Sequence, residues 1–166
     1  PLNELLSDKD PHVSDSARRA LASIPGDAAT TYLMAALKEA PATEQAAYLQ
    51  ALAYRRDAKA VAEMTRSLQS DNASLVANTA LALSKAGKKE QIPALKKALA
   101  KAPATTKPVI EAAIITLGMD GETARELTVS GSNPGIQAAA FAELLSLDAK
   151  GAEAYLTTIL PKTELD

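Results

Sequence analysis

The chain has 166 residues, and 47% of them are hydrophobic, which is enough for a sizeable core. Aromatic residues make up only 3%, cysteine is absent and the net charge is −2. The lack of cysteine excludes disulfides, thiolate zinc sites and a cysteine nucleophile. A slightly acidic chain has no general attraction for nucleic acid, and no apolar run approaches the roughly 18 residues of a membrane span.

Apolar residues recur at helical spacing from the start of the chain. Leu2, Leu5 and Leu6 predict a short first helix. Asp10-Pro11 combines a capping side chain with a proline in the first turn, which is typical of a helix start, and Pro25-Gly26 ends this second helix. Its predicted apolar stripe consists of Val13, Ala17, Ala20, Leu21 and Ile24.

Two further helices are predicted before residue 57. Asp27 is expected to cap the first, Ala40-Pro41 forms the turn, and the second begins near Thr43 and ends at Arg56. The predicted buried residues are Tyr32, Leu33, Ala36 and Leu37 in the first helix and Ala47, Leu49, Leu52 and Ala53 in the second.

The segment 57–87 shows the organisation of the chain most clearly. A helical run begins at Asp57, the polar break Ser70-Asp71-Asn72 follows, and a second helical run ends at Gly87. This is a pair of helices joined by a tight turn. The residues that it is predicted to bury are Val61, Met64, Leu68, Leu75, Thr79, Ala82 and Leu83.

The second half repeats this punctuation. A helix over 88–100 is followed by a turn at Ala102-Pro103. Either Thr105 or Thr106 can cap the next helix, which has Pro108 in its first turn.

The glycines from 118 to 121 break that helix, and a shorter helix over 123–129 follows. Asn133-Pro134 repeats the combination of cap and proline. Asp148 is expected to cap a last helix that Pro161 ends.

The turns within successive pairs fall 30 or 31 residues apart, at Pro11, Pro41, Asn72, Pro103 and Pro134. A fixed period with two helices per period indicates an α-solenoid, because one pair cannot cover its own apolar stripe. We therefore predict an all-α fold, a right-handed α–α superhelix of about five helix pairs that forms a single domain over 1–166. The predicted units are 1–26, 27–56, 57–87, 88–120 and 121–148, with a partial unit at 149–166.

Two segments carry a family resemblance. One is Leu5-Leu6-Ser7-Asp8-Lys9-Asp10-Pro11-His12-Val13, followed by Ala17 and Ala20-Leu21, and the other is Asp57-Ala58-Lys59-Ala60-Val61, followed by Leu68, Leu75 and Ala82-Leu83. On these residues the chain resembles HEAT-like (armadillo-type) repeat proteins, in a bacterial form with about 30 residues per unit. The resemblance implies stacked helix pairs whose second helices line the inner surface.

Four residues on the second helices are candidates for contact with a partner: Arg19, Tyr48, Tyr54 and Arg55. Tyrosine and arginine are enriched in interface hot spots, and arginine pairs can bind carboxylates. An alternative is that the arginines pair with Asp27, Asp57 or another nearby carboxylate. The tyrosines could equally fill core volume with their hydroxyls at the rim.

No residues combine into a catalytic, cofactor or metal site. His12 is the only histidine, and the acidic residues show no paired arrangement for acid–base work. The lysines between 85 and 107 lack the arginines and stacking aromatics of a nucleic-acid site, so a solvated surface is the preferred interpretation. We therefore predict a non-enzymatic chain without a cofactor, a metal, a nucleic-acid partner or a membrane partner.

Three functional hypotheses follow. The first is a protein-interaction or scaffold module that binds a protein or another domain of the same chain. The second is an accessory helical domain of a larger exported enzyme, because 54–61 resembles HEAT segments of exported bacterial proteins with sugar-active domains and the sequence opens in mid-pattern at Pro1 as a fragment would. The third, a nucleic-acid-binding or enzymatic HEAT-like protein such as a DNA glycosylase or an enzyme that attaches linear tetrapyrroles, lacks the tryptophan of a glycosylase groove.

Overall fold

The structure, a computed structural model, describes residues 1–159. Within this range the regular elements are ten α-helices and two short 3-10 helices, Glu4–Ser7 and Lys89–Gln91. The predicted end of the last helix at Pro161 lies outside the described residues. The α-helices are α1 Pro11–Ser23, α2 Asp27–Glu39, α3 Ala42–Arg55, α4 Ala58–Ser67, α5 Ala73–Ala86, α6 Ile92–Leu99, α7 Lys107–Thr116, α8 Gly121–Ser130, α9 Pro134–Leu147 and α10 Ala149–Ile159.

The helices alternate between two layers. Each odd-numbered helix packs against the next odd-numbered helix, so that α1, α3, α5, α7 and α9 form a continuous row. The even-numbered helices cover the odd ones from one side, through contacts such as those of α2 with α3, α4 with α5 and α8 with α9. This arrangement is an α-solenoid, which confirms the predicted all-helical fold class.

Small side chains allow the odd-numbered helices to approach one another closely. Ala17, Ala80 and Ala140 are almost completely buried on α1, α5 and α9. Larger residues such as Leu52 and Leu83, both fully buried, fill the space between the layers. Burial of side chains of this size provides the main stabilisation of the stack, at about 25 cal/mol per Å² of apolar area.

Side-chain caps fix the starts of α1, α4, α5, α8 and α9. Asp10, Asp57 and Asn133 accept hydrogen bonds from the backbone N–H groups of the first turns of α1, α4 and α9, at 2.7–3.0 Å, as predicted. Asn72 and Asp120 cap α5 and α8 in the same way. The polar residues at these turns therefore define the period that the sequence displays.

Several predicted helix starts or caps differ from the structure, among them the start of α8, which lies at Gly121 and not at residue 123, because Asp120 caps it. Asp27 is the first residue of α2, and the capping position belongs to Gly26, whose φ of 97° favours glycine. Thr106 occupies the capping position of α7, but its side chain makes no capping hydrogen bond. The helix predicted from residue 88 begins at Ile92, because Pro93 is tolerated only in a first turn and a helix from residue 88 would place it in the interior.

Burial also departs from the prediction at two positions. Tyr32 was expected inside but is 44% exposed, because the buried stripe of α2 runs through Ala29, Leu33 and Leu37 and places Tyr32 at its edge. Ile24 is 40% exposed, because α1 ends before it and its backbone is extended.

Candidate protein-binding face

The exposed side of the odd-numbered helices, called the odd-helix face below, carries two rows of side chains at the repeat period of 31 residues. Residues of one row lie four positions from those of the other, so the rows run side by side across the helices. The exposed members of the first row are Arg19, Gln50, Leu81 and Ala112. The exposed members of the second row are Ser23, Tyr54, Lys85, Thr116 and Leu147.

Tyr54 is the most exposed large hydrophobic residue among residues 1–159. It lies in the last turn of α3 and is 72% exposed. Together with Arg19 and Gln50 it lines a shallow depression of about 420 Å³ between α1 and α3. An exposed aromatic ring beside an arginine is the composition of many protein interfaces.

Arg19 forms an ion pair with Asp15, and both residues line the depression. Its guanidinium lies 2.5 Å from Asp15, while 73% of its side chain remains exposed. The hydrogen bond from Arg18, together with the charge of Arg19, holds the pKa of Asp15 below its usual value, although burial opposes this. The Arg19 guanidinium therefore keeps N–H donors free for a partner.

Leu81 extends the face toward α5. It is 46% exposed, and with Gln50 and Lys85 it lines a small recess between α3 and α5. An aromatic ring and an aliphatic side chain thus lie on adjacent helices, with a cationic residue on either side of them.

Tyr48 does not belong to this face. Its ring is 3% exposed, its hydroxyl donates to the carbonyl oxygen of Leu6 at 3.1 Å, and the Arg18 guanidinium lies 5.0 Å from the ring centre. Burial raises the pKa of Tyr48. The residue fills core volume and holds the first 3-10 helix, which is the alternative that the sequence left open for it.

Arg55 is likewise inaccessible to a partner. Only 5% of its side chain is exposed. Its Nη1 donates to the carbonyl oxygens of Leu21 at 2.7 Å and of Ile24, and its Nη2 donates to that of Gly26 at 2.8 Å. These carbonyls lie at and beyond the end of α1, where the last carbonyl groups of a helix have no N–H donor within the helix.

The third nitrogen of Arg55 completes a link between α1, α2 and α4. Its Nε donates to Thr30 Oγ1 at 2.7 Å and to Asp57 Oδ2 at 2.9 Å. Although burial raises the pKa of Asp57, hydrogen bonds from Thr30, the Ala60 N–H and Arg55 outweigh it and hold the pKa below the usual range. Arg55 is therefore a structural residue, and its pairing with Asp57 is the alternative named for it above.

One buried acid escaped the sequence analysis. Glu111 on α7 is 2% exposed and accepts hydrogen bonds from the backbone N–H and the hydroxyl of Ser132, in the turn between α8 and α9. Its role resembles that of Arg55, because each of the two side chains is hydrogen-bonded to a turn outside its own helix. No local pattern in the sequence marks such a contact.

A family model of HEAT repeats matches residues 33–118, which is more than half of the chain. The chain belongs to the HEAT repeat family. HEAT repeats generally mediate protein interaction and scaffolding, and the family is generally non-catalytic. No curated protein matches this HEAT repeat chain by sequence.

The described part of this HEAT repeat chain contains no group of three or more histidine, cysteine, aspartate or glutamate residues that could hold a metal ion. Between residues 1 and 159, no helix is long and apolar enough to cross a membrane.

Proposed function

We propose that this HEAT repeat chain is a non-catalytic interaction module that binds a protein through the odd-helix face. The observation that carries the proposal is the exposed pair of Tyr54 and Leu81 on adjacent helices, flanked by Arg19 and Lys85. In known interfaces, tyrosine and arginine are among the residues whose truncation to alanine weakens binding most.

The proposal keeps two of the four residues predicted from the sequence. Arg19 and Tyr54 are exposed and line one depression. Tyr48 and Arg55 contribute by supporting the scaffold beneath that surface. The partner is a folded or extended protein segment, either on another chain or elsewhere in the same one.

The test begins by identifying a partner with the immobilised chain and continues with the purified partner. Affinity is measured for the wild type, for the Arg19→Ala and Tyr54→Ala double variant, and for Tyr32→Ala. Tyr32 is the matched control, because it is an exposed tyrosine of the even-numbered layer. We expect the double variant to bind about tenfold or more weakly and the control to stay within about twofold of the wild type.

Two results would contradict the proposal. In one, the double variant binds the purified partner as tightly as the wild type does. In the other, Tyr32→Ala weakens binding as much as the double variant does, which would place the contact on the other layer.

A further inference from the structure

A cavity of about 330 Å³, called the turn-edge cavity below, lies where the end of α4 and its turn meet the end of α6 and the segment before α7. Its walls include the apolar residues Leu68, Val76 and Ala98, all of them buried. The charged residues that line it are three basic side chains and one acidic side chain: Arg66, Lys97, Lys101 and Asp71. The cavity thus combines an apolar wall with a cationic lining.

Thr106 provides an unused polar group in this cavity. The residue is only 5% exposed and lines the cavity. Its hydroxyl does not cap α7 and has no hydrogen-bond partner among the described residues. Among residues 1–159, the fully enclosed polar side-chain atoms without a partner belong to Gln45 and Thr79. The Thr106 hydroxyl is therefore not fully enclosed, and its residue lines the cavity.

A hydroxyl that lines a cavity and has no protein partner is free to hydrogen-bond to a bound group. A carboxylate is suited to this place, because it accepts a hydrogen bond from the hydroxyl and is attracted by the surrounding cations. Arg66 is partly committed to Glu63, to which it donates a hydrogen bond. Lys97 and Lys101 make no ion pair within residues 1–159.

The same place in the solenoid two units earlier has the opposite character. A larger cavity of about 730 Å³ lies there, and Glu39 and Glu44 in its lining stand 62 residues before Lys101 and Thr106. Basic residues are the minority among the charged side chains of that cavity. The cationic lining is therefore specific to the turn-edge cavity and does not follow from the repeat geometry.

We propose that the turn-edge cavity is a binding site for a small aliphatic carboxylate. The carboxylate accepts a hydrogen bond from Thr106 and lies near Lys97 and Lys101, and the aliphatic chain packs against Leu68 and Val76. A cavity of this volume is within the range of small-molecule sites in proteins. The site is separate from the odd-helix face, so it does not depend on the proposed protein-binding function.

The experiment is a titration of the ¹⁵N-labelled chain with sodium hexanoate, followed by heteronuclear NMR. Acetate, which lacks the aliphatic chain, and hexan-1-ol, which lacks the charge, serve as matched probes. The variants are Thr106→Val, the double variant Lys97→Ala and Lys101→Ala, and Lys38→Ala as a control lysine on α2 that lines no part of this cavity.

We expect saturable shifts at the amides of Thr106 and Ala98 with hexanoate and much weaker binding of both matched probes. Each cavity variant should weaken hexanoate binding by about fivefold or more, while Lys38→Ala should change it by less than about twofold.

Three results would overturn the proposal. Hexanoate produces no saturable shifts at the cavity, or hexan-1-ol binds as tightly as hexanoate, or Lys38→Ala weakens binding as much as the cavity variants do. The lysine variant replaces only exposed side chains, so it tests the site even where Thr106→Val lowers the stability of the fold. A Tyr54→Ala chain should retain hexanoate binding, which separates this test from that of the protein-binding face.

Discussion

Replacing Arg55 by alanine tests whether one buried side chain holds the first three helix pairs together. The substitution removes five hydrogen bonds, to the carbonyls of Leu21, Ile24 and Gly26 and to the side chains of Thr30 and Asp57. Breaking a buried ion pair by removing one partner costs about 3–5 kcal/mol.

The expected cost lies at the lower end of that range. Ile24 and Gly26 are exposed and Asp57 is 28% exposed, so water can replace part of what is lost there. The Leu21 carbonyl belongs to a buried residue and keeps the penalty, whereas the Thr30 hydroxyl retains its hydrogen bond to Asp57. We therefore expect Arg55→Ala to lower the free energy of unfolding by about 3 kcal/mol.

The assay is urea unfolding followed by circular dichroism. Arg66→Ala is the matched control, because this arginine at the end of α4 is 70% exposed and makes only a surface ion pair with Glu63, worth less than about 1 kcal/mol. Arg55→Lys should be intermediate, since an ammonium group cannot reach the end of α1 and Asp57 at once. The reasoning fails if Arg55→Ala loses no more stability than Arg66→Ala does.

Three further predictions concern stability. Thr79→Val should raise the free energy of unfolding by about 1 kcal/mol in the same assay, because the Thr79 hydroxyl is fully buried without a hydrogen bond, and a loss of stability would contradict this. Gly131→Ala should lower it by about 2 kcal/mol, because a Cβ there would lie 2.6 Å from the Leu127 carbonyl oxygen and 2.8 Å from a methyl group of Ile136, and an unchanged midpoint would show that the turn gives way. The pKa of Asp57 is lowered from its ordinary value of 3.8, so the stabilisation by its carboxylate is complete above about pH 5 and is lost as the pH falls through 3.8 and then through the folded pKa. The stability difference between the wild type and Asp57→Asn, measured by urea unfolding from pH 7 to pH 2, should therefore shrink on acidification, and a constant difference would refute the assignment.

The local elements of the fold could be predicted because short polar patterns dictate them. At Asp10-Pro11 and Asn133-Pro134, the capping side chain and the backbone N–H group that donates to it lie within three residues of each other. The period follows from counting such turns, and the resemblance to HEAT repeats depends on the residues of two segments, 5–21 and 57–83. The predicted start of α6 at residue 88 is wrong, because Pro93 has to lie in the first turn of the helix.

The candidate site was predictable only in part. Tyr48 lies four residues before Leu52 and thus on the buried stripe of α3, whereas Tyr54 lies four residues after the exposed Gln50. Helical spacing alone could therefore have separated the two tyrosines. It could also have placed Arg55, three residues after Leu52, toward the core.

The acceptors of Arg55 could not be predicted in this way. The Leu21 carbonyl is 34 residues distant in the sequence, and backbone carbonyls have no residue type that marks them. The same holds for Glu111 and the turn at Ser132. Contacts of this kind depend on how the helix pairs stack, and that geometry arises only when the whole chain has folded.

The two rows on the odd-helix face have a consequence for how such a chain can change. Positions such as Gln50, Leu81 and Ala112 recur at a fixed distance, and none of them belongs to the buried core. Under the proposed function, a substitution at any of them changes the binding surface and leaves the buried core in place. The specificity of such a surface would then change one helix at a time, by natural drift or by design, at little risk to folding.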